Sequence, residues 1–192
     1  MSYIPNPVDA AVEICDNAGK PADAFDRDLF FAGRGDSSLP RFELVRALKR
    51  ELANDLRFET FGFDGAPAVW GLDYDRVLAG SKMGLSLNRQ EGAALSSSAR
   101  VAQLMGNGLL TFIHESTGLD HFFKDLAVFF DSQDDLLEKI RHYHLHDEER
   151  RRVAGAGHRY LHTEMSSERV ANFIIDRTFE NPAADQYPWS DC

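Results

Sequence analysis

The sequence predicts an α/β fold: a Rossmann-like parallel sheet of about five strands, with helices on both faces and a helical C-terminal segment. Three observations carry this expectation. Short apolar runs recur with segments of helical spacing between them, the order that a parallel sheet of strand–helix–strand units requires. The first run, Asp28 to Gly33, is continuously apolar at its centre, as a strand buried on both faces must be. From Gln133 onward the strand signal stops and the pattern is all helix.

The elements follow in order. Residues 1–27 read as a segment resembling an interdomain linker. Pro5 and Pro7 each disfavour helix at the preceding residue, and Val8 to Ala18 fits a short helix with Asn6 as cap and Pro7 at its first position. Asn17, Gly19 and Pro21 then break the pattern. Residues 28–180 hold the Rossmann-like domain. Its first strand, Asp28–Gly33, ends in Gly-Arg-Gly-Asp. Phe42, Val45, Leu48 and Leu52 give helical spacing over Pro40–Leu52. Arg57–Gly62 alternates and reads as the second strand. Tyr74–Ala79 fits a short helix, Met83–Leu87 a third strand, and Ser97–Met105 a helix entered through a serine run. Leu109–Ile113 is a fourth strand, Gly118–Lys124 a short helix and Ala127–Phe130 a fifth strand. Leu136, Leu137 and Ile140 form one helical stripe. His146 to Arg150 reads as a capped start with acids in the first turn, and a last helix spans Ser167–Phe179. Residues 181–192, broken by proline, read as an irregular tail.

Bulk composition bounds the function. The chain has 192 residues, enough for one domain with a sizeable core. Its net charge of −10 argues against a non-specific nucleic-acid surface, which needs a basic face. A local pocket of Arg, Lys and backbone N–H groups can still receive a nucleotide. Two cysteines near opposite ends, Cys15 and Cys192, fit a reducing cytoplasm better than a disulfide framework. No apolar run approaches the ~18 residues of a membrane span. The N-terminus lacks the basic and apolar regions of a signal peptide.

Open α/β sheets bind ligands at the carboxyl edge of their strands, so the loops after each strand are the candidates. After the first strand, Gly33-Arg34-Gly35-Asp36 offers close backbone approach to a phosphate and a guanidinium to pair with it; a plain strand-to-helix turn also wants glycine there. After the third strand come Asn88-Arg89-Gln90 and then Ser96-Ser97-Ser98-Ala99-Arg100. This helix start could receive an anion, or be an ordinary serine cap. After the fourth strand, Glu115-Ser116-Thr117-Gly118-Leu119 could face a sugar or phosphate, or simply cap a helix. His142 with His146 and His158 with His162 have the i,i+4 spacing that can bind metal, but no supporting ligand pattern accompanies them, and a solvated helix face is the better reading. Asp73-Tyr74-Asp75 precedes a helix rather than following a strand, so no metal role is assigned to it. No Ser-His-Asp or Cys-His constellation and no Walker loop is present.

Together these pieces resemble the C-terminal domain of GT-B glycosyltransferases, nearest to the CgeB-like spore-maturation type. The resemblance runs from about residue 28 to 178. It is carried by Phe30-Phe31-Ala32-Gly33, Arg41, Tyr74, Ser81 to Asn88, Arg100 to Gly108, Thr117-Gly118-Leu119, Asp134 to Ile140, and Glu148-Glu149-Arg150 through Ala154 to Gly157. It implies a domain that binds a nucleotide-sugar donor, such as a UDP- or GDP-sugar, without a cofactor or metal, and a hexosyltransferase type of reaction. Gly33 and Arg34 would lie near phosphate, Asn88 and Arg89 near the donor, and Arg100 and Gln103 around ribose and phosphate. Thr117, Gly118 and Leu119 would lie near sugar or diphosphate. A cationic Arg34 or Arg100 would stabilise the departing nucleoside diphosphate. An N-terminal acceptor domain, in cis or in trans, is the implied partner, and Ile4 to Asp9 looks like the crossover that follows it, so the chain alone is expected to be inactive. Gln103 stands where related enzymes commonly place a ribose-gripping glutamate, and a carboxylate makes the stronger, charge-assisted bonds. A non-catalytic binding or interaction module is therefore the alternative. A response-regulator-like signalling domain is disfavoured, because Ala32-Gly33 and Phe130-Asp131 lack the acidic cluster and the lysine it needs.

Overall fold

The structure, a computed structural model, describes residues 3–89, 95 and 98–190. Five strands form one wholly parallel sheet: β1 (Arg27–Ala32), β2 (Phe58–Phe61), β3 (Ser81–Ser86), β4 (Leu110–His114) and β5 (Val128–Phe130). Their spatial order is β2-β1-β3-β4-β5. The helices are α1 (Pro40–Glu51), α2 (Leu72–Ala79), α3 (Ala99–Gly106), α4 (Asp120–Phe123), α5 (Gln133–Leu145), α6 (Asp147–Glu164) and α7 (Ser167–Thr178). The Rossmann-like α/β expectation holds.

Alternation along β1 explains the layering. Leu29 and Phe31 face one side and pack with Val45 and Leu48 of α1 and Leu136 and Ile140 of α5. Phe30 faces the other, with Val77 and Leu78 of α2 and Leu104 of α3. Both faces of the sheet are thus covered, as an all-parallel sheet demands. β3 is buried at all six positions. Its Gly84 lets α3 close on the sheet: a Cβ there would stand 2.6 Å from Cδ2 of Leu104. Helix starts follow the sequence signals. Ser132 and Ser166 cap α5 and α7 by accepting from the backbone N–H of Asp135 and Arg169, and Asp147, Glu148 and Glu149 fill the first turn of α6.

Three expectations need correction. Val8 to Ala18 forms no helix; it is a chain of turns held to the domain. The Asp9 side chain accepts from Ala11 N–H, which closes a local turn in place of a helical one. Val8 bridges to the α6–α7 junction, accepting from Ser167 N–H and donating to Met165 O. Asn17 is fully buried and donates from Nδ2 to Leu78 O and Ser81 O, a role that a continuous helix would deny it. The tail beyond residue 180 is also more ordered than its prolines imply. Pro182–Gln186 is a 3₁₀ turn, and Trp189 is fully buried against Phe173 and Tyr187. Finally, His158 and His162 are not on a solvated face. His158 Nδ1 and His162 Nε2 both meet Gly106 O, at 2.7 and 2.8 Å, and so join α6 to the end of α3. Cys15 is a free thiol, while Gln90, Ser96, Ser97 and Cys192 lie outside the described residues.

Candidate functional site

The strand order places a crevice between the loops after β1 and β3. The chain leaves β1 toward β2 on one side and returns to β3 on the other, so those two loops diverge at the carboxyl edge. A cavity of about 730 Å³ opens there. Of the residues expected to bind a donor, Gly33, Arg34, Arg89, Arg100 and Gln103 line it.

The loop after β1 is fixed by its neighbour after β2. Gly33 N–H donates to Phe61 O, and Gly35 N–H to Gly62 O. A Cβ on Gly35 would stand 3.1 Å from Cα of Phe63, and one on Gly33 would stand 2.9 Å from Cζ of Phe31. Gly35 therefore allows the two backbones to meet while Gly33 leaves room for the Phe31 ring, and the Arg-Gly-Asp triplet is part of this packing.

A second arginine pair completes the wall. Arg41, in the first turn of α1, is buried and lines the cavity, as does Arg100 from the first turn of α3. Each donates to Leu87 O at 3.1 Å, and each guanidinium stands over the Phe31 ring, at 5.8 and 5.4 Å from its centroid. Arg41 also donates to Arg34 O, while its Nε has no hydrogen-bond partner among the described residues. Burial lowers the pKa of both, and for Arg41 the nearby charges of Arg100 and Arg89 lower it further. Arginine starts so high that both remain cations. Among the described residues no carboxylate lies within ion-pair distance of Arg34, Arg41, Arg89 or Arg100. Asp36 lies near enough to feel the charges of Arg34 and Arg89, but its carboxylate is held by the N–H and hydroxyl of Ser38. The result is a cationic cavity in an acidic protein.

Trp70 and Tyr74 also line the cavity, from the β2–α2 loop and the first turn of α2. Burial raises the pKa of the Tyr74 hydroxyl, against the opposing effect of the Arg100 charge. Neither Trp70 nor Arg41 is evident as a site residue from local pattern. The signals for Arg41 are its place in the first turn of the helix after the strand-end glycine loop and its presence among the residues that carry the family resemblance.

The remaining candidates fall elsewhere. Asn88 sits half-buried at the end of β3, beside Arg89 but off the cavity lining. Thr117, Gly118 and Leu119 do not line it either. Thr117 Oγ1 donates to His114 O and accepts from Leu119 N–H; Gly118 N–H donates to Glu115 O; the Leu119 side chain is fully buried in the core. These hydrogen bonds close the turn that follows β4, a 3₁₀ turn over Glu115–Thr117 with Gly118 at its end. Among the described residues no cluster of three His, Cys, Asp or Glu could hold a metal ion, and no helix is long and apolar enough to cross a membrane.

A parallel sheet with its cavity at the strand-order reversal, walled by guanidiniums that have no carboxylate in ion-pair distance among the described residues, defines an open α/β domain with a pocket suited to an anion. Comparison with known proteins makes the class specific. The model of a family described as "Glycosyl transferase-like" matches residues 41–176, most of the chain. The chain belongs to that family. Among solved structures, sucrose-phosphate synthase from Thermosynechococcus elongatus superposes with a TM-score of 0.59 at 14% identity, over 94% of this chain and 52% of that one. The chain thus spans about half the length of that neighbour, and the likeness is one of fold. No curated protein matches.

Proposed function

We propose that this domain binds the nucleotide-sugar donor of a glycosyl transfer, with the acceptor supplied on a second domain in cis or in trans. The observation that carries the reading is the wall of Arg34, Arg41, Arg89 and Arg100, which among the described residues has no carboxylate in ion-pair distance. A diphosphate would neutralise it, and the same charges would stabilise a departing nucleoside diphosphate without a metal. Gly33 and Arg34 lie near phosphate in this reading, and Arg100 and Gln103 near phosphate and ribose. Asn88 and Arg89 flank the donor, and Thr117 to Leu119 support the adjoining loop.

A specific observation favours a second reading, a non-catalytic binding module. Among the described residues lining the cavity there is no Asp, Glu or His to take a proton from an acceptor, and Gln103 lacks the charge of a carboxylate. In the donor-half reading that base comes from the acceptor domain.

Isothermal calorimetry with uridine and guanosine diphosphates tests the binding step. Saturable heat that is lost on Arg34→Ala or Arg100→Ala supports the proposal; no heat at millimolar nucleotide overturns it. Turnover of a nucleotide-sugar after an acceptor domain is added separates the enzyme from the binding module.

A further inference from the structure

Trp70 stands out in a molecule whose other tryptophan, Trp189, is fully buried: its side chain is 81% exposed. A lone exposed aromatic is ordinary on a protein surface, but this one lines the arginine-walled cavity. Its neighbours Val69 and Ala68 line the cavity too, and Leu72 beside it is 74% exposed. The loop that carries it is held in place. Gly62 N–H donates to Pro67 O, Ala66 N–H to Phe63 O, and Asp73 N–H to Trp70 O. Gly62, Gly65 and Gly71 adopt φ of 68°, 82° and 52°, which glycine reaches without strain and which let the loop make these turns. An apolar ring is therefore presented to the cavity on a braced support. One helical turn on, Tyr74 lines the same space next to Arg100.

We propose that Trp70 is the platform on which the base of a nucleoside diphosphate stacks, its phosphates running to the guanidinium wall of the same cavity. The inference rests on the donor-binding reading and names the part of the donor that this end of the cavity takes. A flat ring beside clustered cations fits a ligand with a flat, weakly polar end and an anionic end. Stacking on an aromatic side chain suits any base, because every base has a π-face, and it changes affinity by about tenfold per base.

Calorimetry and tryptophan emission on the full chain test it. Uridine diphosphate, guanosine diphosphate and inorganic pyrophosphate are titrated into wild type, W70A and W70F. At this exposure the substitutions leave folding intact. In wild type both nucleotides bind about tenfold more tightly than pyrophosphate and quench the emission of the exposed indole. W70A removes that preference and leaves pyrophosphate affinity unchanged, and W70F keeps part of it. If W70A leaves the ratio of nucleotide to pyrophosphate affinity at its wild-type value, the platform is overturned while donor binding stands. If neither nucleotide nor pyrophosphate binds wild type, both proposals fall together.

Discussion

At the scale of single residues, Arg100 links stability to function in opposite directions. Half-buried itself, it shares one backbone acceptor, Leu87 O, with the buried Arg41, and no described carboxylate pairs with either. Like charges held together in a partly dry place are costly, and a flexible apolar side chain of similar length avoids that cost. Arg100→Met is therefore expected to stabilise the fold by about 1 kcal/mol, which raises the thermal midpoint by about 2–4 °C for a domain of this size. In the donor-binding reading pyrophosphate raises the wild-type midpoint further by binding the native state, and the same change is expected to abolish that rise. A scanning-fluorimetry titration of both proteins reads the two effects at once; a variant less stable than wild type refutes the frustrated-cation account. The arginines differ in legibility for a physical reason. Arg34 and Arg89 follow strands directly and Arg100 opens a helix, so strand ends in the sequence locate them. Arg41 lies a loop further on and enters the cavity only because α1 folds back over β1. Thr117 to Leu119 show the converse. Their residue types suit a ligand loop, but internal hydrogen bonds within three residues consume the same groups.

At the scale of elements, periodicity and caps locate all five strands to within about two residues, because buried parallel strands and core-facing helices leave strong hydrophobic patterns. What they do not reveal is how elements meet. Gly157 in α6 is an example. Glycine inside a helix ordinarily costs about 1 kcal/mol against alanine, so Gly157→Ala read locally should stabilise. In the fold a Cβ there would stand 2.5 Å from Leu126 O and 3.0 Å from Cε of Met105. Overpacking against backbone wins, and the variant is expected to lose about 2 kcal/mol, read as a lower urea midpoint at an unchanged slope. His158 and His162 were obscure for the same reason: their i,i+4 spacing looks like a surface pair until α6 lies against the carbonyl of Gly106. Burial first, and then the neighbouring His162, hold the His158 pKa below its ordinary value. The native state therefore binds fewer protons there than the unfolded chain. Its contribution to stability is fully present above the unfolded value of about 6.5 and is lost as pH falls below it. Unfolding midpoints between pH 7.5 and 5 should fall more steeply in wild type than in His158→Gln; parallel curves would exclude this residue as the cause.

At the scale of the whole molecule, the sheet separates its charges by end. The carboxyl edge gathers around the cavity arginines that have no carboxylate in ion-pair distance among the described residues, while the amino edge holds an ionic cluster whose charges are paired. Asp28, near the start of β1, is buried. It accepts from Nε, Nη2 and the backbone N–H of Arg57 and lies 2.7 Å from Nζ of Lys82, itself buried near the start of β3. His144 at the end of α5 approaches to 3.8 Å. This cluster ties β1 to the residue before β2, to β3 and to α5, the framework that fixes where the loops at the far edge emerge. Burial alone would raise the pKa of Asp28; the hydrogen bonds from Arg57 and Lys82 outweigh it and hold the carboxyl well below the usual carboxylate range. The sign follows from the depressed value. The native state releases this proton more readily than the unfolded chain, so the stabilisation is complete above the unfolded pKa of about 3.9 and drains away as pH falls below it. Asp28→Asn keeps the shape but leaves the Lys82 ammonium buried without its counter-charge, a loss of about 3 kcal/mol at neutral pH. As pH falls below about 4 the gap between the wild-type and variant midpoints should narrow steadily, because the unfolded chain takes up a proton at Asp28 while the native carboxylate stays ionised. Denaturant unfolding of both proteins from pH 7 to pH 2.5 checks this. A gap that stays constant over that range would mean that asparagine harms the packing and that the charge of Asp28 carries none of the stability.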